Sequence, residues 1–502
     1  MAASPAGSLW LDTSLDLSDE KNPIKFSSGK KARVVAAGIA ITINSALGSS
    51  LPSGGASDIA KAFSVTDPLQ LVLLNSIYML GFAIGPPIFG PLSEHVGRRL
   101  VLISTYVGYM LSTLCCAVSP NYAALLLFRL LCGIAAAAPN AVVGPLYADI
   151  YDHPEPRGRS MAYFMCATSM TPPFGPIISG YATRHSWRLT FWIGLGIAAA
   201  FLPLVLCLPE TFAPVIRRKW MQHSTDQEGF DYLASSENQR WALVQELKVV
   251  FSRPFIMILR EPVVLFSSLY LALVYATLYL FFQAYPIIFR GVYGLSYGEV
   301  GLTFLPVTAG SSLALAVFLW YSSCHASAMK AGASWAKNIE YRRLPPACAG
   351  GPAYVALGDI PMTIRETDTS SSIVISLFWL GWTPYTAIYP AVPALSGVLF
   401  GVGYLVIFMA LLNYVTDAYR QFSASAQAAA STTRSITAVC LPLAAPQMYE
   451  KLGIQWACSL LAFITLALAF IPLIFIRYGE DLRRRSPFCQ KLSNSANIVA
   501  MT

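Results

Sequence analysis

Gly90-Pro91-Leu92-Ser93-Glu94-His95-Val96-Gly97-Arg98-Arg99 lies between two long apolar runs, residues 69 to 91 and 100 to 118. Each run is long enough to cross a ~30 Å hydrocarbon layer as a helix. The polar stretch between them is too short for anything but a tight hairpin at one membrane face. It carries two glycines and an arginine pair.

The rest of the chain agrees. It is 55% hydrophobic and 12% charged, with a mean hydropathy of +0.54, against the ~25% charged residues of an ordinary soluble domain. Runs of mostly apolar residues fall near 33–52, 69–91, 100–118, 122–146, 160–182, 187–208, 262–289, 299–320, 373–391, 393–414, 422–446 and 453–476. The sequence thus predicts an all-α membrane protein with twelve transmembrane helices. Basic residues translocate poorly and collect on the cytoplasmic side. With both termini cytosolic, 27 of the 34 Lys and Arg fall inside, 5 outside, and Arg129 and Arg434 within spans. The net charge of +8 therefore reads as an orientation signal and not as a nucleic-acid surface. The lipid bilayer is the expected partner.

The polar gap at 210–261 divides the spans six and six as a central cytosolic loop, leaving helical bundles at 33–209 and 262–476. Residues 1–32 and 477–502 read as cytosolic tails, the first disordered and without the apolar core of a signal peptide. Asp149-Ile150-Tyr151 closes span 4 and Asp417-Ala418-Tyr419 closes span 10, as expected of two halves related by a repeat. The ten cysteines are scattered, seven of them in expected spans, with no metal-ligand or redox spacing.

Several motifs carry a family resemblance. The 90–99 stretch resembles the signature loop of the major facilitator superfamily of secondary transporters. Leu125-x-x-x-Arg129-x-x-x-Gly133 resembles its second motif, and Gly175-Pro176-Ile177-Ile178-Ser179-Gly180 the antiporter motif of exporters. Leu208-Pro209-Glu210-Thr211, Trp187-Arg188, Arg342-Arg343-Leu344-Pro345-Pro346 and Tyr478-Gly479 make the chain similar to the fungal twelve-span drug/proton antiporter branch. That branch includes multidrug, polyamine and secondary-metabolite exporters. The resemblance implies two pseudo-symmetric six-helix bundles, a plasma-membrane location, no cofactor beyond the proton gradient, and function as a monomer. Departures are Glu94, His95, Thr171-Pro172-Pro173 and Ser179, the last two where glycines are frequent, and an apparent cytosolic insertion at 353–372.

Candidate residues follow. Gly90 and Gly97 suit a tight turn, while Glu94, Arg98 and Arg99 offer charges that bridge helix ends in one state and separate in another. The arginines equally suit plain topology anchoring. Arg129, inside an apolar helix, is expected to face the bundle interior or else to snorkel toward headgroups. The resemblance implies a part in proton coupling for it, with Asp149 and Asp417 as further candidates. Arg434 has a weaker claim in a locally polar helix. Pro172, Gly175, Pro176 and Gly180 predict a bent, tightly packed span 5, or an ordinary proline kink. Asn44, Ser45, Asn140, Thr168, Ser169, Tyr275, Tyr279, Gln283 and Thr303 are candidate pocket groups, with Tyr275, Tyr279 and Gln283 on one stripe of span 7.

No Asp or Glu falls at mid-depth, so a neutral or weakly charged amphipathic small molecule is the expected substrate, and a polyamine less so. Export by proton antiport is the leading reading; import of a nutrient or polyamine by a facilitator or symporter is the alternative. No His-box, metal cluster, nucleophile-base pair or Walker-type loop supports an enzyme or an ATP-driven pump.

Overall fold

The structure is a computed structural model that describes residues 22–217, 252, 255–332, 344, 370–419, 423–486 and 490. The described residues fold entirely as helices and connecting turns: α1 Ser28–Ser50, α2 Ala56–Phe63, α3 Pro68–Val96, α4 Arg98–Ala117, α5 Tyr122–Ala136, α6 Ala138–Ile150, α7 Pro154–Met170, α8 Phe174–Ala182 and α9 Trp187–Leu206. After the central loop come α10 Pro262–Tyr285, α11 Tyr297–Leu302, α12 Leu305–Lys330, α13 Ser370–Trp382, α14 Ala391–Tyr419, α15 Ser423–Leu468 and α16 Phe470–Arg485. Each of the twelve expected segments contains helix. Nine stretches among the described residues are long and apolar enough to cross a membrane, and the longest, Ser425–Gly479, takes in an α15 that breaks at Gly453 (φ +72°) and the first turns of α16.

Short polar side chains set where the helices begin. Asp67 accepts the Leu69 N–H with Pro68 at the first helical position, Asn121 accepts from Ala124, and Ser296 and Glu299 form a reciprocal capping box. Each cap satisfies a backbone donor the helix cannot. Large apolar side chains such as Leu100, Leu111, Leu127, Leu313 and Phe463 stand exposed on the outer surface, as a hydrocarbon solvent requires.

Three expectations are refined. The ten-residue hairpin shrinks to Gly97 alone: α3 continues through Gly90 and Pro91 to Val96, and α4 starts at Arg98. Span 5, where the prolines predict a bend, divides into α7 and α8 at 171–173. Helical structure in the ninth segment ends at Trp382, nine residues short of the expected limit, whereas α12 runs ten residues past its own. The central loop beyond Arg217, the 353–372 insertion up to its last three residues, and both tails lie largely outside the described residues.

Candidate functional site

At the Gly97 end of the bundle, Gly97 has φ +108° and ψ 153°, backbone geometry reserved in practice for glycine. Its turn presents the first N–H groups of α4 outward. Glu210, after α9, receives them: Arg98 N donates to Oε1 at 3.0 Å and Arg99 N to Oε2 at 3.2 Å. The Thr211 and Phe212 N–H groups also donate to Oε1 at 3.0 Å. An anionic cap at a helix N-terminus is favoured by the unsatisfied donors and by the helix dipole.

The buried Arg98 side chain reaches from this turn to Asp149 at the end of α6, Nε to Oδ2 at 3.4 Å, and donates from a terminal nitrogen to Ser93 Oγ at 2.5 Å. Thr211 donates to the same Asp149 oxygen at 3.3 Å, and the Phe212 ring covers the guanidinium at 4.8 Å. Three helix ends are thereby joined through one carboxylate. Glu94 and Arg99 are exposed, and their side chains make no ion pair among the described residues. Gly90 has room for a Cβ, with Ala141 at 3.8 Å. Glu210, Thr211 and Ser93 carry much of this cluster. Glu210 and Thr211 stand in the sequence as part of a closing motif, with no hint of their partners, Arg98 at 112 residues from Glu210 and Asp149 at 62 from Thr211.

Leu125, Arg129 and Gly133 lie on one face of α5, at i, i+4 and i+8. Arg129 is 1% exposed, so snorkelling does not occur. It donates to the carbonyls of Gly48 (2.7 Å), Ser49 (3.3 Å) and Leu74 (3.1 Å) and stands 4.5 Å over the Tyr78 ring. Gly48 and Ser49 are in the last turn of α1, where carbonyls lack helical partners and the dipole is negative. Arg129 therefore ties α1, α3 and α5 together. Asp149 pairs elsewhere, with Arg98.

At the opposite end, the break at 171–173 turns α8 against both α1 and α11. A Cβ on Gly175 would lie 2.6 Å from the Ser50 backbone carbonyl carbon; one on Gly180 would meet the Tyr297 backbone, its carbonyl carbon at 2.8 Å. Pro176 O and the Ile177 backbone occupy the space beside Gly301, and Pro172 lies in the break itself. Ser179, where a glycine is frequent, is fully buried, donates to Gly175 O at 2.9 Å and accepts the Gly54 N–H at 2.9 Å. The seam keeps its close approach because the hydroxyl is absorbed by backbone partners.

Between the two ends, α10 carries Tyr275 and Tyr279, both buried. Ser49 gives its proton to Ala46 O, so Tyr279 donates to Ser49 Oγ at 2.7 Å, and Tyr275 lies 3.3 Å from the Tyr279 hydroxyl. This chain links α10 to the end of α1. Tyr275 also touches Met79 Sδ of α3 at 4.0 Å. On its other side is Arg434 of α15, 5% exposed, held at 4.9 Å over the Tyr275 ring and 4.8 Å over Phe408 of α14. Gln283 and Asn140 are half-buried; Asn44 is buried, with its amide nitrogen on Ala40 O and Oδ1 unbonded. Asp417 lies near the end of α14, its side chain outside the described residues. The buried Glu261, just before α10, accepts from Tyr419 of the repeated Asp-x-Tyr pattern at 2.9 Å.

A cavity of about 520 Å³ opens beside α1, α7, α8 and α9, lined by Ile39, Ile43, Met170, Phe174, Ile197 and Leu315 among others. Among the described residues no three His, Cys, Asp or Glu side chains come together as a metal site would need.

The fold, the two-ended helix contacts and the motif residues together define a transporter of the facilitator type, and comparison with known sequences agrees. The chain belongs to the Major Facilitator Superfamily, whose family profile matches residues 35–392. It is 34% identical over 459 residues to "Efflux pump FUB11" of Gibberella moniliformis, covering 90% of this chain and 72% of the relative. It is 32% identical over 487 residues to the "Major facilitator superfamily multidrug transporter mdrA" of Aspergillus fumigatus, covering 96% and 76%. Among solved structures it resembles the proton:xylose symporter XylE, with a TM-score of 0.62 at 14% identity over 90% of this chain and 96% of that one.

Proposed function

We propose that this protein exports a small amphipathic organic compound, drug-like or a secondary metabolite, by proton antiport with alternating access. The relatives named as an efflux pump and a multidrug transporter support the outward direction. The positive-inside bias favours the Gly97 end and both termini in the cytosol; the plasma membrane as its location and a monomer as its working unit complete the proposal. The halves at 33–209 and 262–476 would move against each other as bodies.

The observation that carries the reading is the Arg98–Asp149 pair, a charged contact joining helix ends at the cytosolic face while the α8–α11 seam closes the other. Protonation of Asp149 removes the charge that holds Arg98, so a proton and an opening motion are coupled at one site. The test is expression in a strain lacking its own pumps, with cell-associated compound measured across a drug panel. Wild-type cells should retain less compound than cells expressing Asp149→Asn, and a protonophore should abolish the difference. Higher accumulation in wild-type cells would overturn export in favour of uptake.

A further inference from the structure

The two buried arginines differ in one decisive respect. Arg129 finds backbone carbonyls for all its nitrogens. Among the described residues Arg434 makes a single long hydrogen bond, to Ser431 Oγ at 3.4 Å, and its buried Nε has no partner. No carboxylate lies within ion-pairing distance of it among the described residues. A guanidinium offers five in-plane N–H donors. The Tyr275 and Phe408 rings sit at its sides and engage its charge, but rings on the faces leave in-plane donors unmatched.

The position matters as much as the vacancy of those donors. Arg434 stands eleven residues into α15, and Phe408 eleven residues from the end of α14, roughly 17 Å along each helix and near the middle of a bilayer. Tyr275 reaches across to Met79 in the first half of the chain, so the cluster borders the surface along which the halves separate. Intramembrane charges without a protein partner mark a ligand or ion pathway, and planar bidentate recognition is what arginine offers a carboxylate.

We propose that Arg434 is the recognition point for a carboxylate on the transported compound, whose apolar or aromatic part packs among Tyr275, Phe408 and Tyr404, the last stacked on Phe408 one turn earlier in α14 at 5.8 Å. This rests on the exporter reading and narrows it to organic anions. It also reverses the expectation drawn from the lack of mid-depth Asp and Glu. That lack disfavours polyamines, and the uncompensated cation disfavours a neutral substrate as well.

The test uses the purified full-length protein in nanodiscs and three probes on one skeleton: 2-naphthoate, its methyl ester and 2-naphthylmethylammonium. Naphthoate should bind wild type saturably and more tightly than the ester or the ammonium compound. Arg434→Gln should weaken naphthoate by more than tenfold and Arg434→Lys by several-fold, with ester affinity unchanged as the check on folding. If the glutamine variant aggregates, the lysine variant decides, since it keeps the charge and loses the fork. Equal naphthoate affinity in wild type and variants, or no preference for naphthoate over ester, overturns the assignment. Transport separates the two proposals: naphthoate that binds but is not depleted from expressing cells sinks the exporter reading alone, whereas an exported ester with naphthoate ignored sinks only the Arg434 site.

Discussion

The Glu210 carboxylate rests against Gly97, so close that a Cβ on the glycine would fall 2.9 Å from the carboxyl carbon. Two requirements coincide at Gly97, a positive φ and the absence of a side chain. Gly97→Ala should therefore lower stability by about 1–3 kcal/mol, the cost of holding such a backbone region in a residue with a Cβ, and should displace the Glu210 cap. Gly90→Ala, with open space beside it, should change little. Thermal unfolding of the detergent-solubilised variants checks the pair; equal melting temperatures for both would contradict this account of the turn.

Glu210 itself gathers four backbone N–H groups, those of Arg98, Arg99, Thr211 and Phe212. Removing it with Glu210→Ala should cost about 0.5–2 kcal/mol or more, since losing a helix cap alone is in that range. Glu210→Gln retains one acceptor and should cost less. The same melting assay orders the three proteins, and a glutamine variant less stable than the alanine one would show that the carboxylate is not acting as a cap.

Arg129 closes the last turn of α1 from inside the bundle. Arg129→Leu would strand the carbonyls of Gly48 and Ser49 where no water competes to satisfy them, at about 1–3 kcal/mol for each group left bare. Arg129→Lys restores charge but not the fork, so its stability should fall between leucine and wild type. A leucine variant as stable as wild type but inactive in transport would instead assign Arg129 to the transport cycle.

Much of the architecture was legible because a bilayer permits few alternatives: apolar length marks a helix, and helix it is in all twelve segments. The hairpin is where the sequence puts it, but its turn is shorter than the polar stretch for a definite reason. Gly90-Pro91 looks like a turn in water, but α3 accommodates Pro86, Pro87 and Pro91, and Ser93 Oγ binds the Gly90 carbonyl at 2.7 Å. Proline is tolerated in membrane helices when side chains and neighbouring helices supply such compensation. Ser179 stands where a glycine is frequent and yet stitches the seam, which the sequence cannot show because nothing in it reveals that the Gly54 N–H points at the Ser179 hydroxyl. Arg434 is visible as a charge in a span, but what sets it apart is the lack of an acidic partner among the described residues, and absence of a contact has no local signature.

The α8–α11 seam yields the last expectation. Gly180 lies directly on the Tyr297 backbone and Gly301 on that of Pro176 and Ile177, so the two helices touch main chain to main chain. Gly180→Leu inserts four carbons where backbone atoms already meet, and packed interiors do not absorb such volume without moving apart. A cysteine placed at Ser53, buried beneath this seam, should then react several-fold faster with a membrane-impermeant maleimide added from outside. Gly29→Ala, at a position with nothing within 4 Å of a new Cβ, should leave that rate unchanged. Labelling at position 53 that is indifferent to Gly180→Leu would mean that the seam is not what closes this end of the bundle.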